Sequence, residues 1–157
     1  MIRAAVPDIA IMSDSERQNL ETEMVLSLCI FDGSDPIRSA GALARYNNRY
    51  NKIIGARLGG RLVGLVGIHQ ADDQIEKMHL SVVKEMQCKG IGKRLINHLR
   101  SMHHMMVLVA ETDKDAVGFY RKCGFECESI GEKYPGTERF QCKSGVNNKI
   151  EPGQKGI

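Results

Sequence analysis

Hydrophobic and polar positions fall into a regular alternation of elements from residue 53 onward. Apolar residues run through 53–58, break at Gly59-Gly60 and resume over 61–69. That is a β-hairpin, because a Gly-Gly turn tolerates the positive φ values a two-residue turn needs. Asp72-Asp73 opens the next turn, so the apolar run 75–83 is a strand antiparallel to its predecessor. Ile91, Leu95, Ile96, Leu99 and Met102 then lie on one face of a helix. A further apolar strand over 105–110 completes a strand–helix–strand unit, which places 75–83 and 105–110 parallel. Thr112 with Asp115 reads as a capping box for a short helix that ends at Gly124. Gly118 inside that helix costs about 1 kcal/mol relative to Ala, which suggests close packing there. Two last strands, 125–130 and 137–142, flank the turn Tyr134-Pro135-Gly136.

The N-terminal third is less periodic. A first strand is expected within 2–11, interrupted at Pro7-Asp8. Ser13 or Asp14 caps a helix to about residue 30, with Leu20, Met24 and Leu28 as its apolar stripe. A turn at Asp32-Gly33-Ser34-Asp35-Pro36 precedes a second helix to about Tyr46. Residues 143–157 lack periodicity and read as a loose tail behind a single domain, 1–142.

Composition narrows the class. The 157 residues are 42% hydrophobic and 26% charged, as in ordinary globular proteins. There is no apolar run of about 18 residues and no charged-then-apolar leader, so neither a membrane span nor a secretory signal is expected. The five cysteines form no Cys-x-x-Cys pair and have no histidine at zinc spacing. They read as reduced thiols of a cytoplasmic protein without a metal. The net charge of +3 is too small to indicate a nucleic-acid partner. It is concentrated, however: between Lys84 and Arg100 five basic residues face one acid, Glu85.

That basic segment contains the chain's most informative turn, Gln87-Cys88-Lys89-Gly90-Ile91-Gly92, set between a strand and a helix. Glycines there let backbone approach a ligand, and the first amides of the helix point outward at the positive end of its dipole. Such a start is an anion site, most often for phosphate. A nucleotide P-loop would need Gly where Gln87 stands and Ser or Thr where Arg94 stands; a dinucleotide fingerprint would need Gly at Leu95. What remains, Gln-x-x-Gly-x-Gly after a strand, resembles the coenzyme A pyrophosphate loop of the GNAT acetyltransferase superfamily. A second motif agrees: Ala116, Phe119, Tyr120, Gly124 and Phe125 match the family's Asn-x-x-Ala-x-x-Phe-Tyr-x-x-x-Gly-Phe, with Asp113 in place of its Asn. An ionised Asp only accepts hydrogen bonds, so Asp113 is expected mainly as a helix cap.

The resemblance implies an α/β fold: a mixed sheet of six or seven strands, helices on both faces, and a splay between two central parallel strands that admits the pantetheine arm. It implies acetyl-CoA as cosubstrate, with the backbones of Val82 and Val83 pairing with pantetheine and Gln87, Cys88, Lys89, Gly90, Ile91, Gly92 and Lys93 holding the pyrophosphate. Asp113 and Phe119 complete the implied cofactor contacts. The acceptor is a primary amine on a small molecule or a protein, left open by the residues, and a homodimer is compatible. Acetyl transfer must deprotonate an amine of pKa near 10.4, a handicap of about 4 to 5 kcal/mol at pH 7. The candidate base is Glu76, expected partly buried on the strand it shares with Met78, Leu80 and Val82; His79 is its rival, one register away. The candidate acid for the departing thiolate is Tyr120, neutral at working pH. Asp32, Asp35 and the 132–139 segment are expected near the acceptor. The alternative is a domain that binds acyl-CoA without turnover.

Overall fold

The computed structural model describes residues 5–30, 33–103 and 106–145. Its elements are β1 (Asp8–Ile11), α1 (Asp14–Arg17), α2 (Leu20–Ser27), α3 (Pro36–Ala44), β2 (Asn51–Leu58), β3 (Arg61–Gln70), β4 (Gln74–Val82), α4 (Ile91–Met102), β5 (Val107–Asp113), α5 (Val117–Lys122), β6 (Glu126–Tyr134) and β7 (Thr137–Ser144). The strands form one seven-stranded mixed sheet in the order β1-β2-β3-β4-β5-β7-β6, with β4 and β5 parallel. The mixed α/β sheet expected from the sequence is the one observed. Among the described residues no helix is long and apolar enough to cross a membrane.

Two units divide the chain: Met1–Gln70 with Lys77–His98, and Ala71–Glu76 with Leu99–Ile157. In the first, β1 and β2 are antiparallel with Ile11 opposite Ile54, and β2 and β3 with Leu58 opposite Arg61. The hairpin turn is the expected one, with φ of 56° at Gly59 and 82° at Gly60. Ile53, Ile54, Leu65, Val66 and Ile68 are fully buried. Helices cover both faces of β3. A Cβ on Gly67 would meet the Tyr46 ring, which follows α3, whereas a Cβ on Gly64 would meet Ile91 and Leu95 of α4. Residues an odd number apart on a strand point to opposite faces.

The N-terminal helix expected over 14–30 is two helices. Ser13 and Glu16 form a reciprocal capping box at α1, and Asn19 accepts from the Glu21 amide to start α2 afresh. The break turns Leu20, Met24 and Leu28 outward, so the expected stripe is exposed, and Thr22, Val25 and Leu26 are buried instead. Arg57 of β2 ties both helices down through Glu16 and Glu21, each at 3.1 Å.

In the second unit β7 is antiparallel to both neighbours, with Cys142 opposite Ala110 of β5 and Cys127 of β6. β7 runs through Ser144, two residues past the expected end of the strand at Cys142; residues 146–157 of the expected tail lie outside the described residues. The capping box expected from Thr112 and Asp115 does not form: β5 continues to Asp113 and Thr112 is a buried strand residue. The helix end is as expected, with Gly124 at φ 89° and the Phe125 amide bonded to the Tyr120 carbonyl at 3.0 Å. Nothing lies within 4 Å of a Cβ built on Gly118, so the close packing expected there is absent.

Candidate active site

β4 ends at Val82 and a 3₁₀ turn, Lys84–Met86, carries the chain out of the sheet. The Gln87 side chain reaches back and donates to the Val82 carbonyl at 3.0 Å, fastening the turn to the strand end. Cys88 then adopts φ 61° and Gly90 φ 85°. Two left-handed residues within three positions reverse the chain so that α4 begins at once, its first bond running from the Arg94 amide to the Gly90 carbonyl at 3.0 Å. The amides of Ile91, Gly92 and Lys93 precede that bond and have no intrahelical acceptor. The space over Gly90 is open: no heavy atom lies within 4 Å of its missing Cβ.

Ile91, Leu95 and Ile96 anchor α4 in the core. Lys84, Lys89, Lys93 and Arg94 remain exposed. Among the described residues none of the four joins an ion pair, while the nearby acid Glu85 is engaged by Arg61. The turn therefore offers backbone donors, a helix N-terminus and uncompensated positive charge together, an arrangement for a polyanion.

One expected cofactor contact is corrected. The Val83 amide already donates to the Val63 carbonyl of β3 at 2.9 Å, so it has no donor left for a pantetheine arm. Amides of successive strand residues point in opposite directions, which leaves Val82 as the residue whose N–H faces away from β3.

Further along β4, Glu76 is exposed, so the partial burial expected of it is absent. His79 is half-buried, and its Nδ1 lies 2.6 Å from the Tyr46 hydroxyl. Burial, then the nearby charges of Arg45 and Lys77, lower the His79 pKa from 6.5 to about 4. Burial likewise pushes the Tyr46 phenol above its usual range. His79 is thus neutral at pH 7 with one nitrogen engaged, which removes the attraction it held as a base. Ser81, on the same face, is buried and donates to the Val25 carbonyl of α2 at 2.6 Å.

In the second unit, Asp113 accepts from the amides of Asp115 and Ala116, both at 3.0 Å, and so caps the turn into α5 as expected. Phe119 is half-buried and meets Tyr120 edge-on at 5.1 Å; Tyr120 is 3% exposed and meets Phe125 edge-on at 5.4 Å. Glu111 is raised by burial, but hydrogen bonds and charge from Arg139 and Lys133 outweigh this and hold its carboxyl below the usual range. Asp35 caps α3 by accepting from the Ile37 amide at 2.9 Å, and Asp32 lies outside the described residues. Segment 132–139 is the β6–β7 hairpin, with Tyr134 exposed at its end. Tyr46 was not singled out from the sequence; nothing local marks a tyrosine whose partner lies 33 residues away.

Residues 49–127 match the model of a family described as "Acetyltransferase (GNAT) domain". Over 112 residues the chain is 31% identical to N-alpha-acetyltransferase RimI of Mycobacterium tuberculosis, spanning 67% of this chain and 71% of that protein. Its structure is similar, at a TM-score of 0.74 and 12% identity, to the ribosomal-protein-S18-alanine N-acetyltransferase of Escherichia coli, over 93% of this chain and 97% of that one. It is also similar, at a TM-score of 0.75 and 16% identity, to an aminoglycoside 6'-N-acetyltransferase complexed with coenzyme A, over 92% and 99% of the two chains. At these identities the likeness to the solved structures is one of fold.

Proposed function

The chain belongs to the GNAT acetyltransferase family, and on that premise we propose that it moves an acetyl group from acetyl-CoA to a primary amine by direct attack in a ternary complex. The observation that carries this reading is the turn after β4: Gly90 at φ 85° with open space over it, the amides of Ile91 to Lys93 unbonded within the helix, and four exposed cations around them. In this reading Gln87, Cys88, Lys89, Gly90, Ile91, Gly92 and Lys93 hold the pyrophosphate and the Val82 amide pairs with pantetheine. Asp113 and Phe119 belong to the cofactor contacts that the family pattern assigns. One domain runs from residue 1 through the end of β7 at Ser144, two residues beyond the 1–142 expected from the sequence; the protein works in the cytoplasm, and no metal takes part.

In the reaction, the amine nitrogen bonds to the thioester carbon and the C–S bond breaks. Glu76 takes the amine proton through water, and Tyr120 supplies a proton to the departing sulfur. A backbone amide of the strand stabilises the oxyanion. The acceptor class favoured is the α-amine of a peptide, because the relative at 31% identity carries that activity in its name.

The test is a thermal-shift titration with acetyl-CoA, followed by a thiol-release assay over N-terminal peptides, lysine peptides, polyamines and aminoglycosides. Acetyl-CoA at 100 times its Kd stabilises the protein by about 2.7 kcal/mol. No shift at millimolar acetyl-CoA overturns the reading. A shift without thiol release over the whole panel makes the protein an acyl-CoA-binding domain instead.

A further inference from the structure

The buried pair formed by Tyr46 and His79 has no part in cofactor binding, yet the fold makes room for it at a cost. Tyr46 is wholly buried. Its hydroxyl occupies the space where a side chain on Gly67 would begin, 1.7 Å from the position of a Cβ. A glycine in a strand interior weakens the strand and often marks such a close approach. The described residues offer the Tyr46 hydroxyl one hydrogen-bond partner, the His79 Nδ1 at 2.6 Å.

That partnership sets the proton positions. A neutral imidazole has one N–H and one lone pair. Were Nδ1 to carry the proton and donate to the phenol oxygen, the buried phenol O–H would have no acceptor, a costly state for a polar group out of water. With the phenol donating to Nδ1, both groups are satisfied and the ring proton sits on Nε2. That nitrogen makes no hydrogen bond within the described chain and is not sealed from solvent.

We propose that Tyr46 is a positioning residue that holds His79 as the Nε2–H tautomer, so that β4 presents a fixed, uncharged hydrogen-bond donor to a carbonyl oxygen next to the amine of the acceptor. This rests on the acetyl-transfer reading in one respect, the place of the acceptor. A cofactor whose phosphates lie at the turn after β4, and whose arm pairs with Val82, extends back along the strand. His79 is three positions further, about 10 Å at a strand's rise, where the reacting end arrives. Arg45 and Lys77 are the charged groups acting on this histidine, and the Cys29 thiol also lies near Tyr46. A fixed N–H donor favours an acceptor that brings a carbonyl oxygen beside its amine over one that brings only further ammonium groups. The acceptor class that fits is the N-terminal residue of a peptide, whose own carbonyl takes the Nε2 proton's hydrogen bond, rather than a polyamine or an aminoglycoside.

The experiment has two readouts on the full-length chain. Long-range ¹⁵N–¹H NMR of the imidazoles, with His79 assigned by its loss in His79→Gln, reads the tautomer without any substrate. The expected result at pH 7 is Nε2–H in the wild type and a mixture of tautomers in Tyr46→Phe; an Nδ1–H ring or an imidazolium in the wild type overturns the positioning role. The second readout is kcat/KM for a short peptide against an amine of the same shape lacking the first carbonyl. The wild type favours the peptide by roughly tenfold, the worth of one good hydrogen bond. His79→Ala abolishes that preference through KM, His79→Gln, which keeps an N–H near the Nε2 position, retains most of it, and acetyl-CoA affinity is unchanged in both. An unchanged preference in a folded His79→Ala overturns the donor role. Failure of the wild type to bind acetyl-CoA at all overturns the acetyl-transfer reading and the donor role with it, while the tautomer is still read from the spectra.

Discussion

Replacing Gly67 with Ala adds one methyl group to the middle of β3, and the structure makes this a severe change. The new Cβ would stand 1.7 Å from the Tyr46 hydroxyl oxygen, 2.4 Å from Cζ and 2.8 Å from Cε1. Gly67 is on a buried strand of the sheet and Tyr46 is fully buried, so neither backbone nor ring can yield by the required distance, and the ring must leave its place. A buried tyrosine covers about 150 to 250 Å², which at about 25 cal/mol per Å² is roughly 4 to 6 kcal/mol. Partial re-covering of the apolar surface returns some of this. The expected loss is about 3 to 5 kcal/mol, the range for deleting a large core aromatic. That is a fall in Tm of roughly 6 to 20 °C for a chain of this size. Urea denaturation followed by circular dichroism measures it. Gly41→Ala is the control: nothing lies within 4 Å of its Cβ in α3, so the same chemical change there is expected to stabilise by about 1 kcal/mol. In a Tyr46→Ala background Gly67→Ala becomes nearly neutral, because the collision has been removed and the pair is coupled. A Gly67→Ala protein within 1 kcal/mol of wild type refutes the packing of Tyr46 over Gly67, and with it the geometry that places the phenol on His79.

Gly90→Val forces a β-branched residue to φ 85° and fills the open space over the turn; acetyl-CoA binding by calorimetry should be lost while far-UV circular dichroism still reports a folded protein. Tyr120→Phe removes the proposed proton donor and keeps the ring against Phe119 and Phe125. It should lower kcat and kcat/KM together by about 10²- to 10⁴-fold with acetyl-CoA affinity unchanged; near-normal turnover would make the tyrosine structural. Acid should weaken the fold earlier than carboxylates alone predict. The His79 pKa falls from 6.5 to about 4 on folding, so its neutral form is favoured in the folded state. That stability is whole above pH 6.5 and drains away as the pH falls from there to about 4, amounting to about 1 to 2 kcal/mol once solvent screening of a half-buried ring is allowed for. Stability measured at pH 7, 6, 5 and 4.5 should show this slope in the wild type and lose it above pH 5 in His79→Gln. Glu16, Glu85 and Glu111, whose carboxyl pKa values lie below the usual range, add their own loss only in more acid solution.

Local patterns determine much of this protein. The Gly59-Gly60 hairpin, the β4–turn–α4 unit with its two glycines, and the Gly124 helix end are written in spacings of a few residues, where backbone sterics and helix-end hydrogen bonding leave few choices. The cap at Ser13 is of the same kind, and a second cap signal, at Asn19, lies within the stretch that reads as one helix. Two caps in succession divide the first helix, and the apolar spacing of Leu20, Met24 and Leu28 pointed to a buried face that the break turned to solvent. What the chain could not announce are relations between distant residues. The Val83 amide is committed to Val63, Glu76 is open to solvent, and β5 absorbs Thr112 before a cap can form. The Tyr46 hydroxyl meets His79 only because Gly67 on the intervening strand has no side chain. Each of these is decided by which strands become neighbours and which helix covers them, a choice made by burial over the whole sheet rather than by any stretch of sequence.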